Sequence, residues 1–139
     1  MPIEVLKDAS VLINAVDLSD HVESVTLNYS VDVQEATVMG DAGKRRISGL
    51  KDWSAEISFR QDFDATKVEA TIWPLVGVQT AIKIRKSKTD AISDTNPEYQ
   101  GNGIIGELPV IGGSVGEVHN TSVTVSGSDG LALVRDVTP

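Results

Sequence analysis

The sequence predicts a mainly β domain, an antiparallel β-sandwich or barrel with one flanking α-helix. Three segments alternate apolar and polar residues, which is typical of strands that bury one face: 23–33, 49–62 and 118–127. Only residues 65–73 carry a convincing helical pattern, and the chain shows no regular alternation of strands and helices. Because 139 residues suffice for one core, we expect a single domain over residues 1–139.

The N-terminal part predicts two strands separated by a turn. Val11-Leu12-Ile13 is a short apolar run, and residues 14–20 have turn-like composition. The segment that follows is rich in β-branched residues, and its predicted apolar face consists of Val25, Leu27, Tyr29, Val31 and Val33.

The central strand, residues 49–62, is predicted to supply the core. Trp53, Ala55, Ile57 and Phe59 fall on one face of this segment, with polar residues between them. We therefore assign Trp53, Ile57 and Phe59 to the core.

A short helix is predicted directly after this strand. Asp64 is a suitable N-cap for a helix from Ala65 to about Trp73, which Pro74 ends. Val68 and Ile72 are four residues apart on one face, so we expect both to pack on the sheet.

The C-terminal half predicts further strands and polar connections. Lys and Arg on the outer positions of 78–86 indicate an exposed face or an edge. The predicted elements are a strand at 78–86, a polar loop at 87–96, short strands around bends at 97–113, a strand at 118–127 and a tail at 128–139 with a strand at 131–134.

Residues 34–48 form a long arm between two strands, too long for a tight hairpin and without a clean period. Apolar Val38, Met39 and Ile47 lie close to the basic run Lys44-Arg45-Arg46. An arm with exposed apolar residues needs a surface to pack on. It either folds back on its own subunit or docks on a neighbouring one.

Charge is unevenly distributed along the chain. The net charge of −8 divides into −7 for residues 1–41, +5 for 42–88 and −6 for 89–139. This pattern indicates either salt bridges within the fold or complementary faces for self-association. Tight nucleic-acid binding is disfavoured, because it requires a concentrated basic surface.

Composition excludes several other classes. The chain has no Cys, so it has neither disulfides nor thiolate metal sites. No segment has the roughly 20 apolar residues of a membrane helix, and the N-terminus lacks the pattern of a signal peptide.

Two partial matches to nucleotide-binding motifs lack the flanking sequence that those motifs require. Residues 101–106 match GxGxxG, a motif that binds phosphate only where a helix begins directly after it. Pro and Gly follow here, so no helix can begin at that point. Residues 40–45 lack the spacing of a P-loop. His21 and His119 are predicted as surface residues, and Asp62 and Asp64 as charges at a helix N-terminus. We therefore expect no enzymatic activity, no cofactor and no metal.

The order of several segments resembles the major tail tube proteins of long-tailed bacteriophages. The segments are Ser24-Val-Thr-Leu-Asn-Tyr-Ser30, Met39-Gly-Asp41, Ile47-Ser-Gly-Leu-Lys-Asp-Trp-Ser-Ala-Glu-Ile-Ser-Phe59, Trp73-Pro-Leu-Val-Gly77, Pro109-Val-Ile-Gly-Gly-Ser-Val-Gly116 and Thr121-Ser-Val-Thr-Val125.

This resemblance implies a structural virion protein without catalytic activity. Such subunits join into rings, usually of six, that stack into a hollow tube through which DNA passes. The resemblance implies that the protein is made in the bacterial cytoplasm, resides in the virion tail, and contacts itself and the terminator, tape measure and distal tail proteins. The arm would reach the next ring, and its expected contact residues are Val38, Met39, Asp41, Lys44, Arg45, Arg46 and Ile47. Alternatives are a tail terminator, a capsid decoration protein or a ligand-binding β-sandwich.

Overall fold

The computed structural model describes residues 8–63, 67–111, 114–118 and 120–138, and these residues form mainly antiparallel β-structure. The strands are β1 (Ser10–Ile13), β2 (Val16–Asp17), β3 (Val22–Glu35), β4 (Arg46–Arg60), β5 (Gln79–Arg85), β6 (Glu98–Ile105), β7 (Asn120–Gly127) and β8 (Val134–Asp136). One α-helix, α1 (Val68–Ile72), and two 3-10 turns, Ser19–His21 and Trp73–Leu75, complete the described elements.

The eight strands form one sheet in the order β2-β1-β5-β6-β7-β4-β3, and β8 pairs with the first part of β6. Every named strand pair is antiparallel. Both ends of this order contribute to one core, so the sheet curls around it. The expected mainly antiparallel fold with a short helix is confirmed.

The core fills the inside of the curled sheet. Its fully buried residues come from β1, β4, β5, β6, β7 and α1. The five residues assigned to the core from sequence are all buried: Trp53, Ile57, Phe59, Val68 and Ile72. Alternation is clear on β4 and β7, where inward and outward residues follow one another from Trp53 to Phe59 and from Thr121 to Val125.

Trp53 determines where glycine is needed in the neighbouring strands. A Cβ on Gly101 of β6 would lie 2.6 Å from the Trp53 ring, and a Cβ on Gly127 would lie 2.6 Å from its indole nitrogen. The buried ring therefore packs directly on the backbone of two strands. This explains why β6 runs through Gly101 and Gly103 as one strand, where the composition predicts short strands around bends.

The predicted arm is mostly strand. β3 and β4 pair almost continuously from Val22–Phe59 out to Glu35–Arg46, so only residues 36–45 connect them. The prediction of an irregular segment over 34–48 is therefore wrong at both ends. Asp32 lies opposite two residues, Gly49 and Leu50, in a bulge that shifts the parity of β4 and hides its alternation in the sequence.

The helix is shorter than predicted. Lys67 has an extended backbone, so the described α1 begins at Val68. The proposed N-cap Asp64 and the start at Ala65 lie outside the described residues. Pro74 sits in the 3-10 turn that follows α1, where its fixed φ is tolerated. Val68, Thr71 and Ile72 face the core.

Other elements differ from expectation in position. β5 is not an edge strand, because it lies between β1 and β6, but its outer face with Lys83 is exposed as predicted. The tail strand falls at Val134–Asp136 and not at 131–134. The loop 87–96 is ordered by buried Asn96, whose side-chain amide donates to the carbonyl oxygens of Ser87, Asp90 and Ala91.

We expect Gly101→Ala to destabilise the protein by about 1–3 kcal/mol, because the new methyl group overlaps the buried Trp53 ring. Gly106→Ala is the matched control, since a Cβ at that position would meet no atom within 4 Å. Urea unfolding of both variants measures the difference. Equal free energies of unfolding for the two variants would contradict this account of Trp53.

Candidate functional site

The outer half of the β3–β4 hairpin projects beyond the rest of the sheet. β7 pairs with β4 only from Ser54 to Arg60, so residues 29–35 and 46–53 form a two-stranded ribbon. At about 3.3 Å per residue, this ribbon extends roughly 25 Å past the end of the β7 pairing. A two-stranded hairpin is only marginally stable alone in water, so a neighbouring surface would stabilise the ribbon.

The ribbon and its tip expose large apolar side chains. Met39 is 102% exposed and Leu50 is 86% exposed, so neither side chain packs substantially on its own chain. The other exposed apolar residues of the ribbon and tip are Tyr29, Val31, Val33, Val38 and Ile47. They lie on both faces of the ribbon, because Ile47 pairs with Gln34 while Val33 pairs with Ser48. Several exposed apolar residues on one short element indicate an interaction site more often than a single one does.

The tip loop, residues 36–45, has an ordered base and a turn. The Asp41 carboxylate accepts a hydrogen bond from the backbone N–H of Val38 at 3.0 Å and forms a 2.8 Å ion pair with Arg45. Thr37 Oγ1 accepts from the backbone N–H of Arg45 at 2.9 Å. Gly40 has φ +98°, which favours glycine at this turn. These contacts hold Val38 and Met39 at the outermost point of the ribbon.

The seven arm residues expected to make contacts all lie on this hairpin, and all except Asp41 are exposed. Arg46 and Ile47 belong to β4, and the others belong to the tip loop. The structure brings Asp41 and Arg45 into contact with each other, so one of the three consecutive basic side chains is already paired. Contact with a second subunit remains a prediction.

The outer face of β3, β4 and β7 is rich in hydroxyl groups. Cross-strand rows run through aligned residues of the three strands: Ser24–Ser58–Ser122, Thr26–Glu56–Thr124 and Asn28–Ser54–Ser126. These three rows contain no Lys or Arg. These rows are polar and largely exposed but offer an anion no cationic partner, and the next cation on the same face, Arg60, is bound to Glu23 and Asn120. We call the three rows the hydroxyl face.

An apolar groove of about 480 Å³ opens where the curled sheet does not close on itself. One wall is the inner face of β3, and the other is formed by β5, β6 and the residues before β8. The groove is lined by Val25, Leu27, Tyr29, Ile84, Tyr99 and Leu133, with Arg85, Lys86 and Arg135 among its remaining residues. β3 thus combines an unpaired strand edge with an apolar inner face.

A second apolar surface lies outside the ribbon, where β6 ends and the 3-10 turn follows α1. Trp73, Val76 and Leu108 line an open depression of about 320 Å³, which we call the base patch. Val76 bridges to Ile105 at the end of β6, which fixes the patch beside the sheet. Trp73 is 60% exposed, an unusual position for the largest aromatic side chain.

The connection between β6 and β7 borders the base patch and is acidic. Gln61 donates to the carbonyl oxygen of Val110 at 2.9 Å, and Thr121 donates to that of Pro109 at 2.8 Å. These bonds hold the described part of the connection against the end of β4. Its charged residues, Glu107 and Glu117, are both exposed.

Of the two histidines, His21 makes a structural contact with a carboxylate. His21 Nε2 lies 2.7 Å from Asp62 Oδ2, so His21 is a half-buried partner of Asp62 and not a simple surface residue. His119 lies outside the described residues. Within the described ranges, no group of three His, Cys, Asp or Glu side chains could hold a metal ion. No helix in this part of the chain has the length and apolarity needed to cross a membrane.

The shifted pKa values belong to contacts that fasten the loop 87–96 and β2. Burial raises the pKa of Asp17, but hydrogen bonds from Ser19 and Lys88 outweigh it, so the pKa is lowered overall. The same contact with Asp17 raises the pKa of Lys88. A hydrogen bond from Thr89 lowers the pKa of Asp8. Neither the ribbon nor the base patch contains these groups.

Comparisons with known proteins show the same fold in phage-like particles. A chain from the virion of a native gene transfer agent particle has a TM-score of 0.71 and 13% identity, covering 96% of this chain and 98% of that one. A chain from the tail of an empty gene transfer agent particle, computed with C6 symmetry, has a TM-score of 0.62 and 13% identity, covering 83% and 81%. No family model and no curated protein matches the sequence.

At identities of 13%, this likeness shows the fold. The resemblance to tail proteins that the sequence predicted is therefore confirmed at the level of the fold. Sequence analysis identified the residues of the ribbon and its tip. It did not identify the base patch, whose one sequence signal is a Trp beside a helix-ending Pro.

We expect Asp41→Ala to loosen the tip loop while changing the free energy of unfolding by less than about 1 kcal/mol, because exposed ion pairs contribute little. NMR relaxation should report lower order parameters for the amides of Val38 and Arg45. Asp32→Ala is the control, since Asp32 bonds to the side chain of Gln34 and not to the tip. Unchanged order at Val38 would contradict the assigned role of Asp41.

Proposed function

We propose that this protein is a structural subunit of a phage or phage-like tail tube. The observation that carries the proposal is the projecting ribbon, a two-stranded element with exposed apolar residues that an isolated subunit leaves without a partner surface. The shared fold with chains of assembled tail particles supports it. The protein acts through its surfaces, as a structural component without catalytic activity.

Lateral contacts build the ring in this proposal. β3 is the last strand of the sheet that the described residues form, and within them its outer edge pairs with no other strand. Pairing of that edge with a neighbouring subunit extends the sheet and removes the exposed edge. A closed ring satisfies every such edge, and six subunits per ring agree with the C6 symmetry of the similar tail.

The hydroxyl face of β3, β4 and β7 lines the lumen in this proposal. DNA adheres to proteins mainly through phosphate contacts with Lys and Arg, and the three cross-strand rows have neither. A lumen of short polar side chains is wetted but does not attract phosphates strongly. DNA then passes without stable binding, and the exterior remains available to other tail proteins.

The central experiment is electron microscopy of the purified protein over a range of concentrations. We expect stacked rings or hollow tubes, because ring and ribbon contacts both become favourable as concentration rises. Single rings that never stack favour a terminator, and binding to capsids favours a decoration protein. A protein that stays monomeric at every concentration and salt condition contradicts the proposal.

Shortening the hairpin tests the ribbon separately from the fold. Residues 37–44 are replaced by an Asn-Gly dipeptide, which suits a two-residue turn between Ala36 and Arg45, whose backbones already share a 2.8 Å hydrogen bond. We expect thermal unfolding to change little and stacking to be lost. A Gly/Ser replacement of the same length tests whether reach alone suffices. If rings still stack with both replacements, the tip loop has no role in stacking.

A further inference from the structure

We infer that the base patch of one subunit is the docking site for the tip loop of another subunit. This inference rests on the proposed tail-tube function and deepens it by naming the acceptor surface. The acceptor centre consists of Trp73, Val76 and Leu108, and the donor centre consists of Val38 and Met39. Both surfaces are apolar, and both are exposed in the single chain.

The two surfaces lie far apart along β4. Val76 bridges to Ile105, which pairs with Val125 and through it aligns with Ala55, so the near edge of the base patch lies nine residues from Arg46, roughly 30 Å at about 3.3 Å per residue. The tip loop leaves β4 at Arg46, while the loop that carries Leu108 is tied to Gln61, just beyond the other end of β4. β4 spans roughly 45 Å at about 3.3 Å per residue. The tip therefore does not reach the base patch of its own subunit, and only a second copy can bring the surfaces together.

A contact between two different surfaces of the subunit is heterologous. Each subunit that donates its tip still has a free base patch, and each subunit that accepts a tip still has a free tip. Such contacts propagate along an axis and do not close into a dimer. This geometry is the one that ring stacking requires, whereas a contact between two tips would end after one pairing.

The charges of the two surfaces are complementary. The tip side carries Lys44 and Arg46, both exposed, in addition to Arg45, which is paired with Asp41. Glu35 lies opposite Arg46, so residues 35–46 hold three cations and two carboxylates, a net charge of +1. The acceptor side carries Glu107 beside Leu108, in a connection that also holds Glu117 and has no Lys or Arg. Of the cations in this part of the structure, Arg60 is bound to Glu23 and Asn120, and Lys67 stands at the start of α1. Opposite charges around an apolar centre orient an encounter and suppress the reversed arrangement.

The exposed Trp73 suits an acceptor for apolar side chains. Trp residues are enriched among the side chains that dominate binding energy at interfaces, especially when an apolar group of the partner shields them from water. Val38 and Met39 provide such groups, and the flexible Met side chain adapts to an open depression. Docking would cover Met39 at the tip and Trp73 in the base patch, two large exposed apolar side chains.

Cross-linking with introduced cysteines tests this contact directly, because the natural chain has no Cys. Ala42→Cys marks the tip and Gly106→Cys marks the border of the base patch, where a side chain meets no atom within 4 Å. The two single variants are mixed at assembling concentration and treated with a short bis-maleimide. The control pair combines Ala42→Cys with Ser122→Cys on the hydroxyl face.

We expect the Ala42–Gly106 pair to cross-link about tenfold or more faster than the control pair, because docking raises the effective concentration of the two thiols. Trp73→Ala in the acceptor should reduce that rate to the control level. Arg46→Glu should reduce it too, and Glu107→Lys in the acceptor should restore it.

The outcomes separate this inference from the proposed function. Tubes that form while the Ala42–Gly106 pair reacts no faster than the control overturn the docking site and leave the tube proposal standing. Fast formation of the Ala42–Gly106 cross-linked dimer without tubes supports the docking site and contradicts the tube. A monomeric protein without specific cross-links contradicts both.

Discussion

Backbone pairing is the constraint on which the rest of this structure depends. Every strand needs partners for its N–H and C=O groups, and the curled sheet supplies them for β4 only from Ser54 to Arg60, where β7 lies alongside. Beyond that point, among the described residues, β4 pairs with β3 alone and β3 has no strand on its other side. The same fold that closes the core therefore creates a projecting ribbon and an unpaired edge. Both features are unfavourable in an isolated chain and favourable in an assembly.

Core packing determines where along β4 the ribbon begins. Trp53 is the one buried residue of the ribbon and stands at its base, where its ring packs on the backbone at Gly101 and Gly127. Three strands are thus held together at the base of the ribbon. Phe59 lies fully buried near the other end of β4, where β7 and the connection at Pro109 meet. β4 is thus held in the core at both points, and it carries the tip loop at its N-terminal end.

The sequence predicted the fold best where one face of a strand is buried. From Trp53 to Phe59, alternation, burial and pairing agree, and the same holds from Thr121 to Val125. Prediction failed on the ribbon because both of its faces are exposed, and the bulge at Asp32 breaks its period. It failed at β6 because the need for Gly101 comes from Trp53, 48 positions earlier in the chain. The tip residues could be named from local composition, whereas the base patch unites residues that only the bridge between Val76 and Ile105 brings together.

The central claim is that the ribbon is an assembly element that a neighbouring subunit stabilises. Amide hydrogen exchange of the ribbon, residues 29–35 and 46–53, measured in monomers and in assembled protein, tests this claim most directly. The account predicts fast exchange in the monomer and strong protection in the assembly, with residues 54–60 protected in both states because β7 already pairs with them. Equal exchange of the ribbon in the two states would contradict the claim.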